Sequence, residues 1–189
     1  MAVTTLDPMS SLVVIDMQKG ILTLPTIHPA AEVLAGVVRL ADAFRRKGRP
    51  VVLVRVGWSS DGADAVKSRN QSQPLASARP KNFFEYADEL CADPARDILV
   101  HKRQWGAFYG TDLDLQLRRR GITNIVLCGI STSIGVESTA RDAWERSYNL
   151  TFASDAMTDL VAEAHERALR IIFPRIGEIG TVADILALL

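Results

Sequence analysis

The sequence has little of what would assign it to a membrane, a nucleic acid or an oxidising compartment. Only two cysteines occur, Cys91 and Cys128. Neither belongs to a CxxC pair or a Cys/His cluster, so neither a disulfide framework nor a structural zinc site is expected. Charge of one sign is not in surplus: 22 Lys and Arg stand against 22 Asp and Glu. A nucleic-acid binder needs a basic excess to replace the counterions of phosphates, so no such partner is expected. Long apolar runs are absent too. Residues 12–15 and 125–128 are typical, far short of the ~20 that cross a bilayer. The opening MAVTTLDPMSSLVVID has no basic leader and no extended apolar stretch, so no signal peptide is expected and the cytoplasm is the expected compartment. Histidines are few and scattered, at positions 28, 101 and 165, and suggest no metal set.

What is present is ordinary globular material, 48% hydrophobic and 23% charged over 189 residues. That length suits one domain, 1–189, which buries roughly 70% of its unfolded surface without staples. Short β-branched runs alternate with helical spacing. Strands are expected at residues 12–15, 51–56, 98–100, 125–128, 150–153 and 176–179. Helices are expected at 30–47, 112–120, 134–146, 161–173 and 182–188. Gly48 and Gly121 stop two of them, and Thr111 with Asp114 is placed to start one. Strands that are apolar throughout and alternate with helices indicate an α/β fold: one doubly wound, mostly parallel sheet of about six strands with helices on both faces. Residues 57–96, which hold Gly57, Gly62, Pro74, Pro80 and Pro94, fit neither pattern. Short helical pieces that cover something are expected there. Phe83, Phe84 and Tyr86 within it are either an interface patch or a cover on the protein's own core.

Ligands of open parallel sheets bind beyond the carboxyl ends of the strands. The first strand delivers Asp16 and Gln18 there, the second Arg55 and Trp58, the third Lys102, Trp105, Phe108 and Tyr109, and the fourth the stretch GISTSIG, residues 129–135. Asp16 and Lys102 are either an ion pair or a carboxylate with a neighbouring ammonium that tunes its proton. The aromatics are core residues or a pocket wall. Ser131, Thr132 and Ser133 read first as helix N-caps, at a helix start that also suits an anion. The glycine spacing there is not GxGxxG, so no dinucleotide is expected. Cys128 lies in an apolar strand and reads as inert core, and Cys91 has no histidine near it in sequence.

VVIDMQ (13–18), HKRQWGAFYGTDL (101–113), GISTSIGVESTARDA (129–143) and SDAM (154–157) together resemble the isochorismatase-like hydrolases, a superfamily that also holds nicotinamidases and N-carbamoyl amidohydrolases. The resemblance implies a hydrolase whose catalytic Asp, Lys and Cys fall on Asp16, Lys102 and position 135. Position 135 is glycine here, so the covalent thiolate route of the amidase branch is closed at that position. The isochorismatases that this sequence resembles also carry glycine there and cleave a vinyl ether. The resemblance further implies a non-proline cis bond at Ile130–Ser131. It implies a substrate pocket that uses Gln18, Trp58, Trp105, Phe108, Ile130, Ser131 and Ile134, and a homodimer or homotetramer with no cofactor and no metal. Three functions follow as alternatives: a non-covalent hydrolase of a vinyl ether or related small carboxylate, a thiol-independent amide hydrolase, and a non-catalytic scaffold. Arg55, Lys67, Arg69, Arg79, Lys81 and Arg103 are the candidate partners of a substrate carboxylate.

Overall fold

In a computed structural model that describes residues 3–71 and 80–189, the β-branched runs become six strands. They are β1 (Ser10–Ile15), β2 (Val51–Val56), β3 (Ile98–Lys102), β4 (Asn124–Ile130), β5 (Asn149–Thr158) and β6 (Glu178–Gly180). They pair in parallel throughout, in the order β3-β2-β1-β4-β5-β6. The α/β fold is the expected one. The helices are α1 (Ala30–Arg46), α2 (Leu113–Arg119), α3 (Glu137–Glu145), α4 (Ala162–Arg167) and α5 (Val182–Ala187).

Strand side chains alternate between faces, so the sheet separates two cores. Leu12, Val14, Val51 and Leu53 pack against Val33, Val37, Leu40 and Phe44 of α1 and Ile185 of α5. Val13, Ile15, Val52 and Val54 pack against Leu113 and Leu117 of α2 and Ala140 and Ala143 of α3. The chain winds outward from β1 in one direction and from β4 in the other. β1 and β4 therefore flank the topological switch point, where the crevice of a doubly wound sheet opens.

Several boundaries differ from the sequence expectation. β3 runs on to Lys102, and β5 runs on to Thr158 past a register shift between Leu127 and Gly129 of β4. The expected helix 134–146 starts instead as a π-helical turn, Thr132–Val136, before α3. The expected helix 161–173 is α4, then a π-helical stretch Ala168–Ile172, then a short 3-10 turn Phe173–Arg175. Pro174, which has no N–H to give, sits in that last turn. Thr111 does not cap α2 as its N-cap residue; Asp112 occupies that position, and the Thr111 hydroxyl accepts from Leu113 N at 3.2 Å.

Residues 83–86 of the irregular segment cover the protein's own core. Phe83 is buried against Gly20, where any Cβ would fall 2.1 Å from the Phe83 ring. The Tyr86 hydroxyl donates to Leu53 O at 2.9 Å, and Phe84 lies edge-on to Phe83 and Trp58. Phe83 and Tyr86 thus give no support to an interface patch. Pro74 and Arg79 lie outside the described residues. No helix among the described residues is long and apolar enough to cross a membrane.

Candidate active site

β1 ends at Ile15, and Asp16 follows with φ 52, a left-handed conformation that aspartate tolerates better than most residues. Its N–H still donates to Val54 O at 3.0 Å, so the turn begins while the backbone is tied to β2. Lys102 is the last residue of β3, two strands away. Its side chain crosses the end of β2, a span of roughly 10 Å between the outer strands. Its Nζ lies 2.8 Å from Asp16 Oδ2 and donates to Trp105 O at 2.5 Å. The Lys102 side chain is 1% exposed and that of Asp16 10%.

The third member enters from β4. Gly135 sits in the π-helical turn, and a Cβ built on it would lie 3.2 Å from both Asp16 Oδ2 and Lys102 Nζ. Gly135 is not among the residues with positive φ, so its backbone does not demand glycine. The added carbon would also stand 2.8 Å from Ile15 Cγ2, so the space is narrow.

Burial raises the Asp16 carboxyl from its usual value to about 6, against the opposing pull of Lys102. The two oxygens are unlike. Oδ2 faces the ammonium, while Oδ1 is buried and has no hydrogen-bond partner. A carboxyl so placed is suited to hold a proton on Oδ1 and to pass it on, or to take one from water.

The bond Ile130–Ser131 is cis, as the resemblance implied. None of the three hydroxyls beside it caps the turn, which corrects the N-cap expectation. Ser131 makes no side-chain capping bond. Thr132 Oγ1 donates to Thr158 O at 3.1 Å and meets His165 Nδ1 at 2.8 Å. Ser133 contributes its N–H, at 2.6 Å, to Asp159 Oδ2. Asp159 therefore does the capping, from beyond the end of β5. The strand-end rule that singled out Asp16 applies to it as well; reading the fifth strand as ending at residue 153 concealed it.

Three expected pocket residues are buried and held by the protein itself. Gln18 is fully buried, with Nε2 donating to Val56 O at 2.9 Å and Oε1 accepting from Val56 N at 2.8 Å; it clamps the end of β2. Phe108 is buried among Leu113 and Leu117, tilted on Tyr148 and under the Arg146 guanidinium. Ile130 is 1% exposed and belongs to the core on the α1 face. Ser131 and Ile134 are half-buried in the turn. Trp58 is half-buried, its indole N–H donating to Arg103 O at 2.8 Å, and Trp105 is exposed.

Among the candidate cations, Arg103 is paired with Asp64 at 2.5 Å, and Lys67, Arg69 and Lys81 are exposed. Arg79 lies outside the described residues. Arg55 is half-buried at the end of β2, 5.8 Å from the Tyr86 ring centroid, and has no ion-pair partner among the described residues. Neither cysteine reaches the site. Cys128 lies within β4, its thiol pushed far up by burial, and Cys91 is an exposed residue after a 3-10 turn. No group of three or more metal-ligating side chains converges among the described residues. Open clefts of about 630 and 300 Å³ lie at the amino ends of the strands, by Asn124 and Asn149 and by Pro50 and Ile98, and neither is lined by Asp16.

A family model described as the isochorismatase domain matches residues 10–184. The chain is 52% identical over 178 residues to an uncharacterized isochorismatase family protein of Escherichia coli, YecD, covering 94% of each. It is 32% identical over 212 residues to the ureidoacrylate amidohydrolase RutB of Rhizobium rhizogenes, covering 97% of this chain and 85% of that one. Its fold matches the structure of an isochorismatase family protein from Burkholderia thailandensis with a TM-score of 0.92, at 45% identity over 97% of each chain.

Proposed function

We propose, from the premise that the chain belongs to the isochorismatase family and is a hydrolase, that it cleaves a small vinyl ether or related carboxylate without a covalent intermediate. Asp16 and Lys102 are the working pair in this reading, and position 135 is where the thiol of the family's amidase branch would stand. The observation that carries it is the direction of position 135: its missing Cβ points between the Asp16 carboxylate and the Lys102 ammonium. Glycine there leaves those two groups with no nucleophile between them.

Acid catalysis fits what remains. A proton on Asp16 Oδ1 is delivered to the terminal carbon of the enol ether. The oxocarbenium ion that forms is captured by water, and the resulting hemiketal collapses to a ketone and an alcohol. The proton lost from the water returns to the carboxylate, so the enzyme ends as it began. Lys102, held between Asp16 Oδ2 and Trp105 O, keeps one oxygen in place and offers positive charge to a substrate carboxylate. Arg55 supports the carboxylate part of the reading. It is half-buried, stands one strand from Asp16 and, unlike Arg103, has no acid paired with it among the described residues.

The similarity to an amidohydrolase favours a second reading, in which ionised Asp16 draws a proton from water that attacks an amide. One experiment separates the two. Panels of vinyl ethers and of amides are assayed for pyruvate and for ammonia across pH 4–9. An acid at about 6 gives a rate that falls above that value, whereas a base gives a rate that rises through it. Turnover of amides alone, with a rising limb, overturns the vinyl-ether reading.

A further inference from the structure

We infer that Asp159 is a positioning residue that holds the Thr132–Val136 turn down over the Asp16 carboxylate and so keeps water from it. Asp159 is 2% exposed, and no cation pairs with it among the described residues. Its carboxylate is engaged by backbone instead. Oδ2 accepts from Ser133 N at 2.6 Å and Oδ1 from Leu160 N at 2.7 Å, while its carbonyl accepts from Ile27 N at 2.9 Å. Two of these donors lie in segments remote in sequence, the turn after β4 and the stretch before α1. One residue thus ties the end of β5 to both.

Charge-assisted bonds to a carboxylate are short and stronger than neutral ones, so this tie is firmer than a hydroxyl cap. Among the described residues, the other side-chain link between the turn and the end of β5 is Thr132 Oγ1, bound to Thr158 O and met by His165 Nδ1. What the turn carries is Gly135, whose missing side chain points at Asp16 Oδ2. If the turn lifts, the buried carboxylate is hydrated, and the burial that raises its proton affinity is relieved.

The titratable groups near each partner are few. His165 of α4 lies beside Asp159, with the His28 ring 5.0 Å from it. Asp16 faces Lys102 of β3, with Tyr86 at the rim. Loss of Asp159 leaves in place Lys102, the charge that acts on Asp16 directly, so a change at Asp16 reports hydration.

The inference rests on Asp16 as the working acid, but its test needs no substrate. Protein labelled with carbon-13 at the aspartate carboxyls is titrated by NMR, with Asp16→Asn used to assign the resonance. In the wild type Asp16 is expected to titrate near 6. In Asp159→Ala its midpoint falls by a unit or more. In Asp159→Asn it falls by less, because an amide presents one oxygen to two N–H donors. Where Asp159→Ala does not fold, Asp159→Asn, close in shape, decides alone. On any substrate found, kcat drops with little change in KM, and the pH limb moves with the NMR midpoint. A folded Asp159→Ala or Asp159→Asn whose Asp16 midpoint equals the wild-type value overturns the inference, as does a wild-type midpoint near 4. Inactivity towards vinyl ethers bears on the proposed reaction and leaves this titration unaffected.

Discussion

Gly135 faces Asp16: the carbon that any other residue would add there stands 3.2 Å from the carboxylate oxygen that Lys102 binds. The narrow gap keeps the carboxyl buried, and the absence of a side chain keeps the site free of a nucleophile. The predictions below follow from that relationship.

Asp16→Asn is expected to lower hydrolysis by about 10²–10⁴-fold, the range for loss of a general acid or base. An amide has no proton to transfer to carbon. The variant also leaves the Lys102 ammonium buried without its counter-charge, so its Tm falls while the fold is kept. Retention of most of the wild-type rate removes Asp16 from the mechanism.

The pH profile carries its own sign. The folded carboxyl, at about 6, holds its proton more tightly than the unfolded one, at 3.8. The stability that Asp16 contributes is therefore present below about pH 4 and is lost as pH rises from 4 to 6. Denaturant titrations should show the wild type losing ground to Asp16→Asn across that window. In the vinyl-ether reading, kcat/KM falls tenfold per unit above about pH 6. A flat profile from pH 5 to 8 contradicts the acid role.

Gly135→Cys places a thiol between an ammonium and a carboxylate. The backbone accepts it, since φ is not left-handed, but Ile15 Cγ2 must give way, and overpacking of this kind costs about 1–3 kcal/mol. The new thiol, beside Lys102, should be alkylated by iodoacetamide faster than Cys128, which burial makes inert, or Cys91. Mass spectrometry beside a melting curve decides. A stable variant with an unreactive new thiol shows that position 135 does not open to ligands.

Arg55→Gln should raise KM for a carboxylate substrate by tenfold or more and leave kcat within a few-fold, because a guanidinium that binds a carboxylate equally in ground and transition states contributes to binding alone. The primary amide of the same substrate should lose this discrimination. Equal KM values for wild type and variant would remove Arg55 from the pocket.

Much of the architecture was legible because it is local. Apolar β-branched runs, the helical spacing of 30–47 and the stops at Gly48 and Gly121 are properties of neighbouring residues, and each became the expected element. Asp16 and Lys102 stood out by the same means, as polar residues where an apolar run ends. The surroundings of Gln18, Phe108 and Ile130 were not legible, because the end of a strand does not reveal which way a side chain turns. Gln18 folds back onto Val56, Phe108 enters the α2 core, and Ile130 keeps its place in β4. Asp159 was missed because β5 runs on past an irregular pairing with β4.

The sequence by itself determined the elements, their order and the chemical types at each strand end. Only the tertiary structure decided that β2 lies between β1 and β3, so that Lys102 must reach across it to Asp16, and that β4 pairs with β1, so that Gly135 closes over both. The physical reason is that a proton affinity is set by desolvation and by charges brought near from remote parts of the chain. The Asp16 carboxyl is ordinary in any peptide and becomes an acid near neutrality only inside this packing.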